Sequence, residues 1–258
     1  MDKIDAISEM IVQSKRVVVF TGAGISTESG ISDFRSPGGI WDKFDPGEFT
    51  YQKFLASETS REKYWEFSKS SWPTIAEAKP NRGHYAIAEL HNMGKLDCVI
   101  TQNIDNLHQE SGIPEDKVIE LHGTMKWVIC LECGKKYPRQ EIQSRVESGE
   151  KVPRCDTCNG IVKPATISFG QPMPEKETRE AQTRSAKCDL LLVAGSSLVV
   201  YPAAQIPLIA KDNGAKLIII NLTPTPHDHY ADIIIHEKTG ETLSQIVEHV
   251  KAKLKGQF

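Results

Sequence analysis

The chain has 258 residues, 39% of them hydrophobic and 25% charged, with a formal net charge of -3 and a pI near 6.3. That length suits one large domain or a domain with a small module, and the charge balance supplies no global basic field for nucleic acid or a membrane surface. No stretch approaches the roughly 20 apolar residues of a membrane span, and residues 1–16 lack the basic start, apolar middle and cleavage site of a secretion signal, so a cytoplasmic protein is expected.

In chain order, Ile4, Ile7, Ile11 and Val12 recur at helical spacing, which predicts a helix over residues 4–14. The run Arg16–Phe20 reads as a buried strand that feeds a turn of glycines and small residues, TGAGISTESG. Residues 31–79 are rich in aromatics and turn residues and break the pattern. A helical pattern follows at His84–Asn92, then a strand at Leu96–Asn103. A short apolar run, VIELHG, precedes a second irregular region, residues 126–163, which carries paired cysteines. Strands are predicted from Cys188, Ala215 and Ala231, with a helix at Ala203–Lys211 and a last one at Glu241–Leu254 whose Leu243, Ile246, Val247, Val250 and Leu254 form one stripe.

Short, continuous, β-branched runs alternating with helices suit strands covered on both faces. The expected class is therefore α/β, a doubly wound Rossmann-like parallel sheet with a smaller zinc-binding and helical lobe inserted. The expected division is a sheet domain of residues 1–30, 80–125 and 164–258, with a small lobe formed by a helical insertion, 31–79, and a zinc-ribbon module, 126–163.

Cys130 and Cys133 form one C-x-x-C pair and Cys155 and Cys158 another, with 21 residues between the pairs. Each turn presents two thiolates to one side of a metal, and two turns complete a tetrahedron. Four cysteine ligands leave no open position for water, so the predicted zinc is structural. A redox pair is the weaker alternative at this spacing. Cys98 and Cys188 lie in or beside apolar strand runs and read as small buried hydrophobes.

Ligands in open α/β sheets bind beyond the carboxyl ends of the strands. Those ends read TGAGIS, TQNID, GSSLVVYP and INL. The glycine turn departs from the G-x-G-x-x-G fingerprint: Gly22 and Gly24 fit, but Thr27 holds the third position. A turn of this kind still lets backbone N–H groups approach a pyrophosphate, and Ser196, Ser197 and Asn221 offer hydroxyls and an amide suited to ribose and phosphate. His122 is a candidate general base; a structural histidine is the competing reading. His84, His91, His227, His229 and His249 read as surface or packing residues, and the residues around His108 leave its role open.

GAGIS at 22–26, GISDFR at 30–35, TQNIDNLH at 101–108, HG at 122–123, the two cysteine pairs, FG at 169–170, GSSLVVYP at 195–202 and INL at 220–222 follow one another in an order that resembles the sirtuin family. The resemblance spans nearly the whole chain. It implies an NAD-dependent protein-lysine deacylase, in which the substrate acyl oxygen attacks C1′ of the nicotinamide ribose, nicotinamide leaves, and the acyl group ends on ADP-ribose. By motif match it implies a cofactor loop containing Gly22, Ala23, Gly24, Thr27, Phe34 and Arg35, with Phe34 covering the ribose. Gln102, Ile104 and Asp105 are implied around the nicotinamide, Asp105 accepting from its carboxamide, with Asn103 positioning the ribose or the attacking water and His122 as general base. Gly195, Ser196, Ser197 and Asn221 are implied to hold the adenosine half. Acyl-lysine proteins are implied as partners, threaded between the lobes as an extra strand beside Ile167, Phe169, Gly170 and Val199. NAD as co-substrate and structural zinc are the implied cofactors; nucleic acid and membrane are not implied partners, and a monomer is expected.

The sequence departs from the family at Ser32, where proline is usual, and at Gln171, where F-G-E is common. Losing the proline loosens the cofactor loop; losing the glutamate removes a charge near the substrate cleft. Some sirtuins bind acidic acyl groups through Tyr-x-x-Arg, but Tyr64 is followed at that spacing by Phe67, which favours acetyl and other short or apolar groups. The alternatives are a mono-ADP-ribosyltransferase sharing the C1′ chemistry, an NAD dehydrogenase, against which the glycine spacing counts, and a zinc-ribbon binding module, against which the acidic pI and polar strand ends count.

Overall fold

Val17–Thr21 is buried at every position, and its side chains divide between two separate cores. Val17 and Val19 join one apolar cluster; Val18 and Phe20 join the other. A strand alternates its side chains between two faces, so a continuous apolar run must be covered on both sides. The computed structural model describes residues 2–33 and 45–256. We number its strands β1 (Val17–Thr21), β2 (Leu96–Thr101), β3 (Val118–Glu120), β4 (Gly123–Cys130), β5 (Lys136–Pro138), β6 (Val162–Thr166), β7 (Leu190–Ala194), β8 (Lys216–Ile220) and β9 (Ile233–Ile235).

Six strands form one sheet in the order β3-β2-β1-β7-β8-β9, parallel throughout. The helices Lys3–Gln13, Arg82–Asn92 and Thr239–Lys255 supply the apolar stripes of one face. Glu175–Lys187 and Ile206–Asp212 cover the other. The order reverses between β1 and β7, and this switch point opens the crevice where open α/β sheets take ligands.

The predicted strands are all present, and VIELHG supplies one more, β3, at the sheet edge. The helix expected at Ala203–Lys211 begins with a 3-10 turn over Ala203–Gln205 and becomes α-helical at Ile206.

β5, β4 and β6 form a second, antiparallel sheet. It packs with the helices Glu58–Glu77 and Arg139–Glu147 around Trp65, Tyr137, Ile142 and Val162. The long helix Glu58–Glu77 lies in the stretch read as aromatic and turn-rich. Only Arg61, Trp65 and Ser68 along it are buried, too few for an apolar stripe; Ser57 caps it by accepting from Ser60 N–H. Arg139, 1% exposed, ties the two helices together. Its guanidinium donates to the Ser68 carbonyl and hydroxyl and lies over the rings of Trp65 and Trp72.

Candidate active site

The glycine turn and the loop after β7 meet backbone to backbone. Gly24 N–H donates to the Gly195 carbonyl at 2.8 Å. A Cβ on Gly24 would lie 2.8 Å from that oxygen, and a Cβ on Gly195 would lie 2.3 Å from Ile25 N. Gly195 also has φ +66, a left-handed conformation that strains any side chain. These glycines therefore let two strand ends approach across the switch point. The turn continues as a 3-10 helix, Ala23–Ser29, held by Asn81, whose side-chain amide donates to the Ile25 carbonyl and Ser29 hydroxyl. Glu28 accepts from Gly240 N–H, tying the segment to the last helix. Thr27 is exposed and Ala23 half-buried.

Beyond β2, Gln102 to Asp105 fold against this segment. Ser26 hydroxyl donates to Asp105 at 2.7 Å, and Asn103 side-chain amide donates to Ser26 Oγ at 3.1 Å. Asp105 also accepts from Leu107 N–H. Burial pushes the Asp105 carboxyl upward, opposed by these donors. Gln102 reaches across to the loop after β7, donating to Ser196 Oγ at 2.9 Å. Ile104 is half-buried, its carbonyl accepting from Met125 N–H.

His122 lies between β3 and β4. Its Nδ1 is 3.1 Å from the Gln102 carbonyl. A carbonyl only accepts, so Nδ1 carries the proton and Nε2 keeps the lone pair. Burial lowers the ring's pKa below the ordinary histidine value, and the carbonyl partner opposes this. The arrangement is that of an oriented neutral base. Gly123, at φ +71, holds the next turn: a Cβ there would lie 2.0 Å from the Ala165 carbonyl, so glycine lets β4 close on the end of β6.

From that end, Ile167 N–H donates to the His122 carbonyl at 2.8 Å. Two residues on, the Phe169 carbonyl accepts from Tyr51 N–H, and the Gly170 carbonyl accepts from the Gln52 side chain. The segment 167–170 thus joins the His122 turn to the small lobe. Phe169 and Val199 are each 43% exposed. Gln171 accepts from Ser168 N–H and closes the local turn; Ser32 is exposed. Ser197 is half-buried. Asn221 ends β8 but turns its amide into its own loop, donating to the Thr223 carbonyl at 2.7 Å. Tyr64 is set in an aromatic cluster with Phe49, Phe54 and Trp65, its hydroxyl 3.5 Å from Thr166 Oγ1.

The four paired cysteines converge: their Sγ atoms all lie within 4.8 Å of one another. Cys130 and Cys158 are 3.5 Å apart and Cys133 and Cys155 3.7 Å. A tetrahedral zinc with Zn–S about 2.3 Å requires S–S edges of about 3.8 Å, so the thiols fit that ion. The thiols are shifted in opposite directions: burial pushes Cys130 up to about 12, while the Tyr137 hydroxyl, shared between Asp156 and Cys155 Sγ, lowers Cys155 to about 6. Cys98 and Cys188 are buried in the sheet core, where burial pushes both thiols up to about 12.

The structure thus brings Gly22, Gly24, Gln102, Asn103, Asp105, His122, Gly195 and Ser196 to one sheet rim. Asn221 is two strands from the glycine turn. Phe34 and Arg35 lie outside the described residues. The sequence reading passed over Ser26, which bridges Asn103 and Asp105, and Asn81, which pins the 3-10 segment. Ser26 lies within the GAGIS string; nothing in its spacing marks a partner 79 positions away.

Residues 22–202 match the family model described as Sir2 family. A relative from Thermodesulfovibrio yellowstonii, an NAD-dependent protein deacetylase, is 47% identical over 252 residues, covering 98% of this chain and 97% of the relative. Among solved structures, a Sir2 with a p53 peptide and NAD+ is 38% identical with a TM-score of 0.89, over 97% of this chain and 100% of that one. A second, Sir2 with a deacetylated p53 peptide and 3′-O-acetyl ADP-ribose, is 39% identical with a TM-score of 0.90, over 96% of this chain and 98% of that one.

Proposed function

Since the chain belongs to the Sir2 family, we propose that it removes acetyl and other short acyl groups from protein lysines, consuming one NAD per lysine. The observation that carries this reading is the placement of His122, an oriented base, on the same rim as the Gly22–Gly24 turn and the Gln102–Asp105 loop. NAD supplies a ribose carbon that becomes electrophilic as nicotinamide departs. The rest is the work of this chain's residues.

The turn at Gly22, Ala23 and Gly24 presents backbone N–H groups to the pyrophosphate, with Thr27 beside it; Phe34 and Arg35 are assigned to the cofactor by motif match. Gly195, Ser196, Ser197 and Asn221 take the adenosine half. Gln102, Ile104 and Asp105 surround the nicotinamide, and Asn103 positions the ribose. The acyl-lysine lies extended beside Ile167, Phe169, Gly170 and Val199, pairing through its backbone, so sequence preference is loose. Its acyl oxygen bonds to C1′ as the bond to nicotinamide breaks. His122 Nε2 takes a ribose hydroxyl proton, and the freed oxygen attacks the acyl carbon. The bond between the acyl carbon and the lysine nitrogen then breaks, the amine taking a proton from His122, and water adds at the acyl carbon so that the acyl group leaves as an ester of ADP-ribose. The zinc braces the small lobe and takes no part.

The reading extends to the division of the chain into a sheet domain (1–30, 80–125, 164–258) and a small lobe (31–79, 126–163), to a monomer, and to the cytoplasm. Among the described residues no helix is long and apolar enough to cross a membrane. The packing of Tyr64 against Phe49 and Phe54 supports a preference for acetyl over acidic acyl groups.

Mass spectrometry of products from NAD and an acetyl-lysine peptide tests the proposal. Equimolar nicotinamide, acetyl-ADP-ribose and free lysine are expected. Accumulating NADH, or ADP-ribose retained on protein with the peptide still acetylated, would overturn it.

A further inference from the structure

Two histidines outside this mechanism lie together beneath the Gln102–Asp105 loop. His84 is 0% exposed and His108 is 1% exposed, with ring centroids 5.0 Å apart and planes inclined at 57°. Among the described residues, His84 Nε2 and His108 Nδ1 are fully buried with no hydrogen-bond partner. Buried polar atoms are seldom left so.

Their other nitrogens fix both tautomers. His84 Nδ1 accepts from Asn81 N–H at 3.3 Å, as part of a capping box, so Nε2 bears the proton. His108 Nε2 lies 2.9 Å from Thr21 Oγ1. Thr21 spends its only hydroxyl proton on Thr101 Oγ1, at 2.8 Å, so its oxygen accepts from His108 Nε2–H. His108 Nδ1 is then an acceptor. The two unpartnered atoms are thus a donor and an acceptor on adjacent rings, joined by no direct bond within hydrogen-bonding distance. Thr101 Oγ1 in turn accepts from Asn103 N–H at 3.0 Å. Burial lowers the pKa of both rings, His84 to about 4, which keeps them neutral, as this pattern requires.

We infer that one buried water joins His84 Nε2–H to His108 Nδ1, and that His108, through Thr21 and Thr101, is a positioning residue for Asn103. All donors then point one way, from Asn81 through both rings to Thr101, and each bond polarises the next. The chain holds the backbone of the loop whose side chains bear on Ser26. The effect on turnover rests on the role proposed above for Asn103; the water and the tautomers do not.

Nitrogen-15 histidine NMR of the full chain tests the water and the tautomers directly. Both rings are expected neutral and protonated at Nε2 at pH 7, with the His84 Nε2–H exchanging magnetisation with a bound water. A proton on His108 Nδ1, or the absence of that water, would overturn the inference. For positioning, His108→Leu is expected to lower kcat about 10-fold with KM for NAD and peptide unchanged. His108→Gln, which keeps a donor toward Thr21, should recover most of the loss. Should the leucine variant not fold, Thr101→Val against Thr101→Ser makes the same comparison. Full turnover in the folded apolar variants, or equal loss in the conservative ones, overturns the positioning role. A wild-type chain without deacylase activity would sink the function proposed above while the NMR arm still reports on the chain of bonds.

Discussion

At the scale of single residues, His122 is decided by two opposed effects. Burial disfavours the imidazolium, the Gln102 carbonyl favours it, and the net shift is downward. The base form therefore exists throughout the neutral range, and the acid limb of kcat/KM is expected below the ordinary histidine value of about 6.5. A pH–rate profile checks this. His122→Ala is expected to fold, retain zinc and lose turnover by about 100-fold or more, measured as nicotinamide release; an unchanged rate would remove the residue from the reaction. Sequence reasoning reached His122 because it follows a strand. It did not reach Ser26, whose importance lies in touching Asn103 and Asp105 across the crevice.

At the scale of elements, the strands were legible because sheet burial on both faces demands unbroken apolar runs, and Val17–Phe20, Leu190–Ala194 and Leu217–Ile220 are such runs. The helices Glu58–Glu77 and Glu175–Lys187 were not, since each buries only a few residues and so leaves no stripe. The glycines of the rim were visible as turns, but their necessity is a matter of contact. Gly195→Ala adds a side chain at φ +66 and 2.3 Å from Ile25 N. The conformation alone costs about 1–2 kcal/mol, and the clash must part the two loops. A lower melting temperature and weakened NAD binding by calorimetry are expected; wild-type affinity would show that the loops need not touch. In the zinc module, Cys130→Ser removes one of four thiols from a site that takes the place of a larger core. Loss of bound zinc, measured by metal analysis, and a destabilised small lobe are expected. A stable, active, zinc-free variant would contradict the structural role.

At the scale of the whole molecule, the buried histidines couple the fold to pH. His84 has a folded pKa of about 4 against about 6.5 unfolded. Between those values the unfolded chain binds the extra proton, so stability rises with pH there. This ring leaves stability unchanged above pH 6.5 and lowers it as pH falls toward 4, by about 3 kcal/mol. His108, also shifted down by burial, acts in the same direction. Urea midpoints across this window measure the effect, and His84→Gln should flatten the slope.

What the sequence by itself determined is whatever local physics enforces: the parallel sheet, written in β-branched runs, the glycine turn, and the thiol pairs whose spacing suits a tetrahedral ion. Which polar atoms meet was decided only in three dimensions. Ser26 and Asp105, Gln102 and Ser196, and His84 and His108 lie 79, 94 and 24 positions apart. Hydrogen bonds act over about 3 Å, and periodicity along a chain carries no record of partners that only the strand order brings within that reach.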